Sequence, residues 1–376
     1  MIFLHTSDWH LGAMGGERDL WDDQKYFIDA ICGIVREKRV DAVLLAGDVY
    51  DRSVPAASAI GLYDYAMNRL CGELGVKVLT IAGNHDSAER LASCAGLLDK
   101  AGLYLQGAAQ REPRVVEFAD SQVFFLPWIT EEKIKSLYPE ERDGITDLTE
   151  AYRVAVNHMR EKFIPGKHHL LLSHAFITNA ETSTSDRAAE IGFATQVPAS
   201  VFEGFDYVAL GHIHKPQQVN PFIRYSGSPM AYSFGKEERQ EKSVTLIDTA
   251  SMTQEVVPLP LLHRWTTLTD SYETLLAGEY PEEIREGYVR LNVTDTAVGL
   301  DMLSRLRQVY PNALVVAGKT YDGEDTTITL TMEQLEQMES DPAEVFKSFC
   351  REEMGQEATD HFLQLFARAV EEADAE

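Results

Sequence analysis

The sequence predicts an α/β fold built partly from parallel strands. Three observations predict it: short aliphatic runs bounded by polar residues, helix-like stretches between the first of those runs, and Asp, Asn or His at the end of each run. Runs this short and this apolar are typical of strands buried on both faces. Strand alternating with helix is the pattern of a sheet that carries helices on its surface.

The elements follow in order. Ile2-Phe3-Leu4 leads to Asp8 and His10. Gln24 to Lys38 has apolar residues at three- and four-residue intervals and reads as a helix, followed by Ala42-Val43-Leu44-Leu45, which leads to Gly47, Asp48 and Asp51. A second helix-like stretch, Ala56 to Leu70, precedes Val78-Leu79-Thr80-Ile81, which leads to Gly83-Asn84-His85-Asp86. Leu170-Leu171-Leu172 leads to His174, and Tyr207-Val208-Ala209-Leu210 leads to Gly211-His212-Ile213-His214. In open α/β sheets ligands gather beyond the carboxyl ends of the strands, where all these polar residues fall. The polar stretch 178–200 reads as a long loop, either positioning substrate or forming an ordinary surface excursion.

The pattern changes after a Pro-containing connection, Val257-Pro258-Leu259-Pro260. Tyr288 to Val293 alternates as a half-buried strand, Leu300 to Leu306 is helical, and Ala313-Leu314-Val315-Val316 and Thr327-Ile328-Thr329-Leu330 read as strands. Two helical segments close the chain, with apolar stripes at Val345, Phe346 and Phe349 and at Phe362, Leu365, Phe366 and Ala369. The organisation expected is therefore 1–265, a small α+β domain over 266–335, and a helical tail over 336–376.

Charge sets the limits on function. The 376 residues carry 34 Lys+Arg against 60 Asp+Glu, a formal net charge of −26, which excludes a polybasic nucleic-acid binder and adhesion to an anionic membrane by bulk charge. Most of the acidity is local: residues 266–376 hold 24 acidic and 8 basic residues, a net −16. The N-terminus has no basic region before its short apolar run, and no stretch reaches the roughly 18 apolar residues of a membrane span. Cys32, Cys71, Cys94 and Cys350 are scattered, so neither a zinc knuckle nor a disulfide framework is suggested. A cytoplasmic protein with no membrane association is the expectation.

Carboxylate oxygen, amide oxygen and imidazole nitrogen, without thiolate, suit Mn²⁺, Fe²⁺, Zn²⁺ or Mg²⁺. Asp8, His10, Asp48, Asn84, His174, His212 and His214 are too many for one ion, whereas two ions sharing a carboxylate use them all. Two metals about 3.5–4 Å apart clamp the attacking and leaving oxygens of a phosphoryl centre and acidify water. Any one of these histidines alone would as readily be a hydrogen-bonded core residue, and an Asp after a strand is often a turn former. It is the order and repetition after apolar strands that points to metal.

Asp8-x-His10, Gly47-Asp48-x-x-Asp51, Gly83-Asn84-His85-Asp86, the lone His174 and Gly211-His212-x-His214 resemble the motif set of the calcineurin-like metallophosphoesterases. Thr6-Ser7-Asp8-Trp9-His10-Leu11-Gly12, Asp48-Val49-Tyr50-Asp51-Arg52 and Tyr225 to Phe234 further resemble the SbcD-like nucleases, the nuclease subunits of bacterial SbcCD complexes. The resemblance is strong from residue 1 to about 250 and weaker beyond.

It implies an αββα sandwich with a dinuclear, usually manganese, site, Mg²⁺ or other ions being possible. One ion would be held by Asp8, His10, Asp48 and His214, the other by Asp48, Asn84, His174 and His212, with Asp48 bridging. His85 would sit over the phosphate, stabilising charge or protonating the leaving oxygen. Asp86 is its neighbour, placed either to favour its imidazolium or to cap a helix at Ala88-Glu89-Arg90-Leu91. Asp51 stands where related archaeal and eukaryotic nucleases have a second histidine; it would orient a ligand or pair near Arg52.

The resemblance also implies a capping domain shaping a DNA cleft, a partnership with an SbcC-type ATPase, and a homodimer within a heterotetramer; the tail's apolar stripes either dock on that ATPase or pack back on the capping domain. Double-strand exonuclease and single-strand or hairpin endonuclease activity follow as the expected chemistry, in DNA repair, recombination and replication. The alternatives are another phosphodiesterase or phosphatase of the superfamily, acting on a small molecule or phosphoprotein, and a non-catalytic interaction subunit. Loss of ligands would mark the last, and none is missing.

Overall fold

A computed structural model describes residues 1–16, 18–186 and 196–318, with Phe346, Lys347, Thr359, Phe362, Leu363, Leu365 and Phe366. Two six-stranded sheets form the larger part. The first runs in the order Thr253–Pro258, Ser243–Asp248, Ile2–Thr6, Ala42–Ala46, Lys77–Ile81, Leu103–Gln106. Its last four strands are parallel, and its first two are antiparallel additions. The second runs Gln217–Asn220, Ile223–Tyr225, Tyr207–Gly211, His168–His174, Ser121–Leu126, Val115–Glu117, with four central parallel strands and an antiparallel strand at each edge.

Side-chain alternation explains why the strands are apolar on both faces. Phe3, Leu44 and Leu79 of the first sheet share a buried cluster with Phe125, Leu172 and Ala209 of the second. Their neighbours Phe124, Leu171 and Val208 face the other way, onto Ala151, Tyr152 and Val156 of the helix Leu148–Arg160. Each Leu, Val or Phe among them contributes about 1.5–3 kcal/mol on full burial. The result is the helix–sheet–sheet–helix layering expected of an αββα sandwich, with the polar strand ends left at one rim.

Local boundaries differ in places. The helix expected from Gln24 begins at Trp21, because the Asp19 carboxylate accepts the Trp21 amide at 3.2 Å and Asp22 and Asp23 occupy the electropositive first turn. The helix expected over Ala56 to Leu70 is α-helical over Ala57–Met67 and continues as a π-helix over Asn68–Glu73, keeping Leu70 buried throughout. The expected loop 178–200 ends early: Gln196–Val197 pairs in parallel with Phe176–Ile177, since Val197 is drawn into the core under the second sheet.

The described chain divides into two compact units, Met1–Gly15 with Asp19–Trp265, and Gly16–Arg18 with the residues from Thr266 onward. The smaller has a three-stranded sheet ordered Trp265–Asp270, Tyr288–Val293, Ala313–Ala317, with the helix Leu300–Val309. Leu275, Leu291, Leu306 and Tyr310 form its core. The expected strand Thr327 to Leu330, and most of the tail including Val345, Phe349 and Ala369, lie outside the described residues. Of the tail's stripes, the Phe346 and Phe366 rings stack at 4.4 Å and 8°. Among the described residues, no helix is long and apolar enough to cross a membrane.

Candidate metal centre

The site starts with backbone bent against its preference. Asp8, His10, Asp48 and His212 all have left-handed φ values, of 53°, 41°, 47° and 102°. Non-glycine residues take this region at a cost of order 1–3 kcal/mol each, so a cluster of them marks a place the surrounding structure over-determines. Here the loops after the first two parallel strands hold each other: the Asp8 amide donates to Gly47 O at 3.1 Å, His10 N to Asp48 O at 3.0 Å and Leu11 N to Val49 O at 2.9 Å. Gly83 brings the third loop into contact. A Cβ there would lie 2.1 Å from Asp48 Oδ1, which no other residue type permits.

These loops and the two from the second sheet converge on two clusters of predicted ligands, with a third group, His10, Asp51 and His85, overlapping the first. Asp8, His10 and His214 offer ligand atoms that lie together, as do Asp48, His174 and His212. In the first, His10 Nε2 and His214 Nε2 face each other at 3.0 Å. In the second, Asn84 Oδ1 lies 2.8 Å from His174 Nε2 and 3.0 Å from His212 Nδ1. Asp48 Oδ2 stands between the clusters, 3.7 Å from His10 Nε2 and 3.4 Å from His174 Nε2. The structure thus brings together all seven residues singled out as ligands.

Comparison with known proteins gives the arrangement its relatives. A family model described as calcineurin-like phosphoesterase matches residues 1–216, and one described as type 5 capsule protein repressor C-terminal domain matches residues 261–354. The chain is 30% identical over 326 residues to the SbcD subunit of nuclease SbcCD from Staphylococcus epidermidis, covering 86% of each chain. It is 28% identical over 325 residues to the protein of the same name from Staphylococcus saprophyticus, again with 86% of each covered. The chain belongs to the calcineurin-like phosphoesterases, in the SbcD family. Among solved structures it is similar to a Thermus thermophilus protein, at a TM-score of 0.38 and 12% identity over 69% of this chain and 99% of that one. It is also similar to a dimetal phosphatase from Danio rerio, at 0.41 and 12% over 69% and 96%.

The donor set of this phosphoesterase fits divalent metal ions. Asp8 and Asp48 are buried, at 0% and 2% exposure, and the Asp48 carboxylate faces the His10 and His174 imidazoles. Buried carboxylates need positive charge close by. Burial lifts Asp8 to about 6, against the pull of His174 and His214. Burial also works against charge on His174, but the Asp48 carboxylate outweighs it and lifts that imidazole to about 9. Burial takes His212 down to about 3 and holds His10 well below its ordinary value. His174 Nδ1 faces the Ala46 carbonyl at 2.8 Å; donating there leaves the Nε2 lone pair for a ligand bond.

The remaining predicted residues ring the centre. The His85 amide donates to Asp48 Oδ1 at 2.9 Å, and its ring Nδ1 lies 2.9 Å from the Asp51 carbonyl and packs edge-on to His10 at 4.6 Å. Asp51 lies near both of its expected neighbours without hydrogen-bonding His10: Oδ1 is 3.8 Å from His10 Nδ1 and Oδ2 is 3.4 Å from Arg52 Nε. Asp86 is not the helix cap. The helix Ala88–Leu91 has Ser87 at its N-cap with no side-chain cap, and no ion pair joins Asp86 to His85 among the described residues. Its carboxylate instead accepts the amides of Val49, Tyr50 and Gly83 at 3.1, 2.9 and 2.9 Å, tying the second and third loops together. Burial and the Asp48 charge lift it to about 6 against those bonds.

Other contributors escaped the sequence pattern. Trp128 stacks on His212 at 5.1 Å, and Tyr232 packs against His10 and His214. Trp128 follows the buried strand Ser121–Leu126, so the rule that finds the ligands would find it if aromatic residues were included. Asp186 and Glu237 lie against His214 but come from polar stretches with no apolar run before them.

Proposed function

We propose that this chain is the metal-dependent nuclease subunit of an SbcCD-type complex, hydrolysing DNA phosphodiesters beside an SbcC-type ATPase. The SbcD relatives support it over most of the chain's length. The observation that carries the chemistry is Asp48 Oδ2, facing both ligand clusters from one atom.

Asp8, His10, Asp48 and His214 would hold one ion and Asp48, Asn84, His174 and His212 the other, with Mn²⁺ the ion expected. When bound, the pair supplies an activated water and charge stabilisation for an in-line displacement at phosphorus. The chain's residues do the rest. His85, with its Nδ1–H held on the Asp51 carbonyl, keeps Nε2 for the phosphate, and as the imidazolium it would stabilise the phosphate charge or pass its Nε2 proton to the leaving oxygen. Asp51 holds His85 through its carbonyl, and Asp86 fixes the loops that carry Asp48 and Asn84.

Residues 1–265 form the nuclease domain, 266–335 a capping domain that shapes the DNA cleft, and 336–376 a tail that docks on the ATPase. The working unit is a homodimer within a cytoplasmic heterotetramer, acting on double-strand ends and hairpins with ATP consumed by the partner. The test is a nuclease assay on linear and hairpin DNA across divalent metals, with and without the ATPase. Mn²⁺-dependent cleavage is expected, and Asp48→Asn is expected to lose it by at least a hundredfold, because a neutral amide is a poor bridge between cations. Undiminished cleavage by that variant would remove the proposed centre.

A further inference from the structure

His214 is held differently from the other imidazoles. Its Nδ1 lies 2.5 Å from Ser185 Oγ, and that hydroxyl donates to Glu237 Oε1. Glu237 Oε2 accepts the Tyr232 amide at 2.8 Å and lies 3.7 Å from the Lys242 ammonium, both charged side chains being fully buried. The same ammonium donates to the His214 carbonyl at 3.2 Å and to Ser228 Oγ at 2.9 Å. The His214 amide donates to Asp186 Oδ1 at 3.1 Å, while Asp186 Oδ2 accepts the Ser183 amide at 2.6 Å. By contrast, His174 is backed by a backbone carbonyl, and His10 Nδ1 is buried without a hydrogen bond.

A hydrogen on His214 Nδ1 completes a chain of donation, imidazole to Ser185 to Glu237, and leaves Nε2 as the ligand atom facing His10. Lys242 balances the carboxylate, so the relay orients the ring without adding net negative charge beside the ion. We propose that Ser185 and Glu237, charge-balanced by Lys242, are positioning residues that set the affinity of the ion bound by His214, giving the two ions unequal affinities. Residues 183–186 thereby become part of what holds that ion. The proposal rests on His214 being a ligand, which the test examines separately.

The experiment is calorimetric titration of the metal-stripped full chain with Mn²⁺, with melting followed in chelator. Ser185→Ala removes one hydroxyl and leaves the Glu237–Lys242 pair in place. It is expected to weaken one of the two binding events ten- to hundredfold, the usual effect of losing a group that orients a ligand, with melting in chelator unchanged. Ser185→Thr, which keeps the hydroxyl, is expected to restore wild-type binding. Glu237→Gln is a second arm, expected to weaken the same event where its melting shows a folded chain. His214→Ala is expected to abolish that event outright. Wild-type affinities in Ser185→Ala, with one event lost in His214→Ala, would overturn the relay alone. Two wild-type events in His214→Ala would overturn the ligand assignment beneath it.

Discussion

His5 lies between the sheets at 0% exposure, with Nδ1 2.9 Å from Tyr207 Oη and Nε2 3.1 Å from the Leu210 carbonyl. These partners suit the neutral ring, one nitrogen accepting and the other donating. Burial takes its pKa from the ordinary 6.5 to about 3, against the pull of the Leu210 carbonyl. The unfolded chain therefore binds a proton below pH 6.5 that the folded chain refuses until about pH 3. The stability linked to His5 is complete above 6.5 and falls on acidification by about 1.4 kcal/mol per pH unit within that window. Between pH 7 and pH 5, urea unfolding of the wild type should lose about 2 kcal/mol more than His5→Gln does. Equal losses in the two proteins would clear His5 of the effect. This residue also marks what single positions disclose: Asp8, His10 and Asp48 stand out in the sequence because each follows an aliphatic run. The left-handed backbone that aims them, and the partners Ser185 and Glu237 behind His214, arise only from loops that are distant in the chain.

Elements were legible in proportion to how much apolar surface they bury. The central parallel strands are continuous aliphatic runs because both faces are covered, and they are the runs the sequence displays. Gln217–Asn220 and Thr253–Pro258 sit at sheet edges with none of their positions fully buried, so no apolar run announces them. The order of the strands and the pairing of two sheets depend on long-range contacts that periodicity does not encode. The helix Leu148–Arg160 links element to site, since its Tyr152 hydroxyl donates to the His174 carbonyl at 3.1 Å. Its start is fixed by Asp147, whose Oδ1 accepts the Glu150 amide at 2.9 Å. Asp147→Ala should lower stability by about 1 kcal/mol, read as a shifted urea midpoint with unchanged slope, because one orphan helix amide loses its acceptor. An unmoved midpoint would mean that the cap bond contributes nothing net.

At the scale of the whole chain the net charge of −26 looks at first like an objection to cutting a polyanion. On the proposed ligand set the site answers it locally: the anionic ligands would be Asp8 and Asp48, and two divalent ions would more than neutralise them. The larger share of the acidity, a net −16, lies in residues 266–376, which cannot grip phosphate by bulk charge. On the proposed function DNA affinity comes from the metals and from a partner, and the tail is the segment proposed to recruit that partner. Phe362 and Leu365 are 48% and 49% exposed, beside the stacked pair of Phe346 and Phe366. Removing residues 340–376 should therefore leave Mn²⁺-dependent hydrolysis of a small phosphodiester near wild type, while abolishing co-purification with the SbcC-type ATPase and its stimulation of DNA cleavage. Loss of hydrolysis on the small substrate would instead place the tail in the fold of the catalytic chain. Binding of the ATPase that survives the truncation would move the docking surface elsewhere on the molecule.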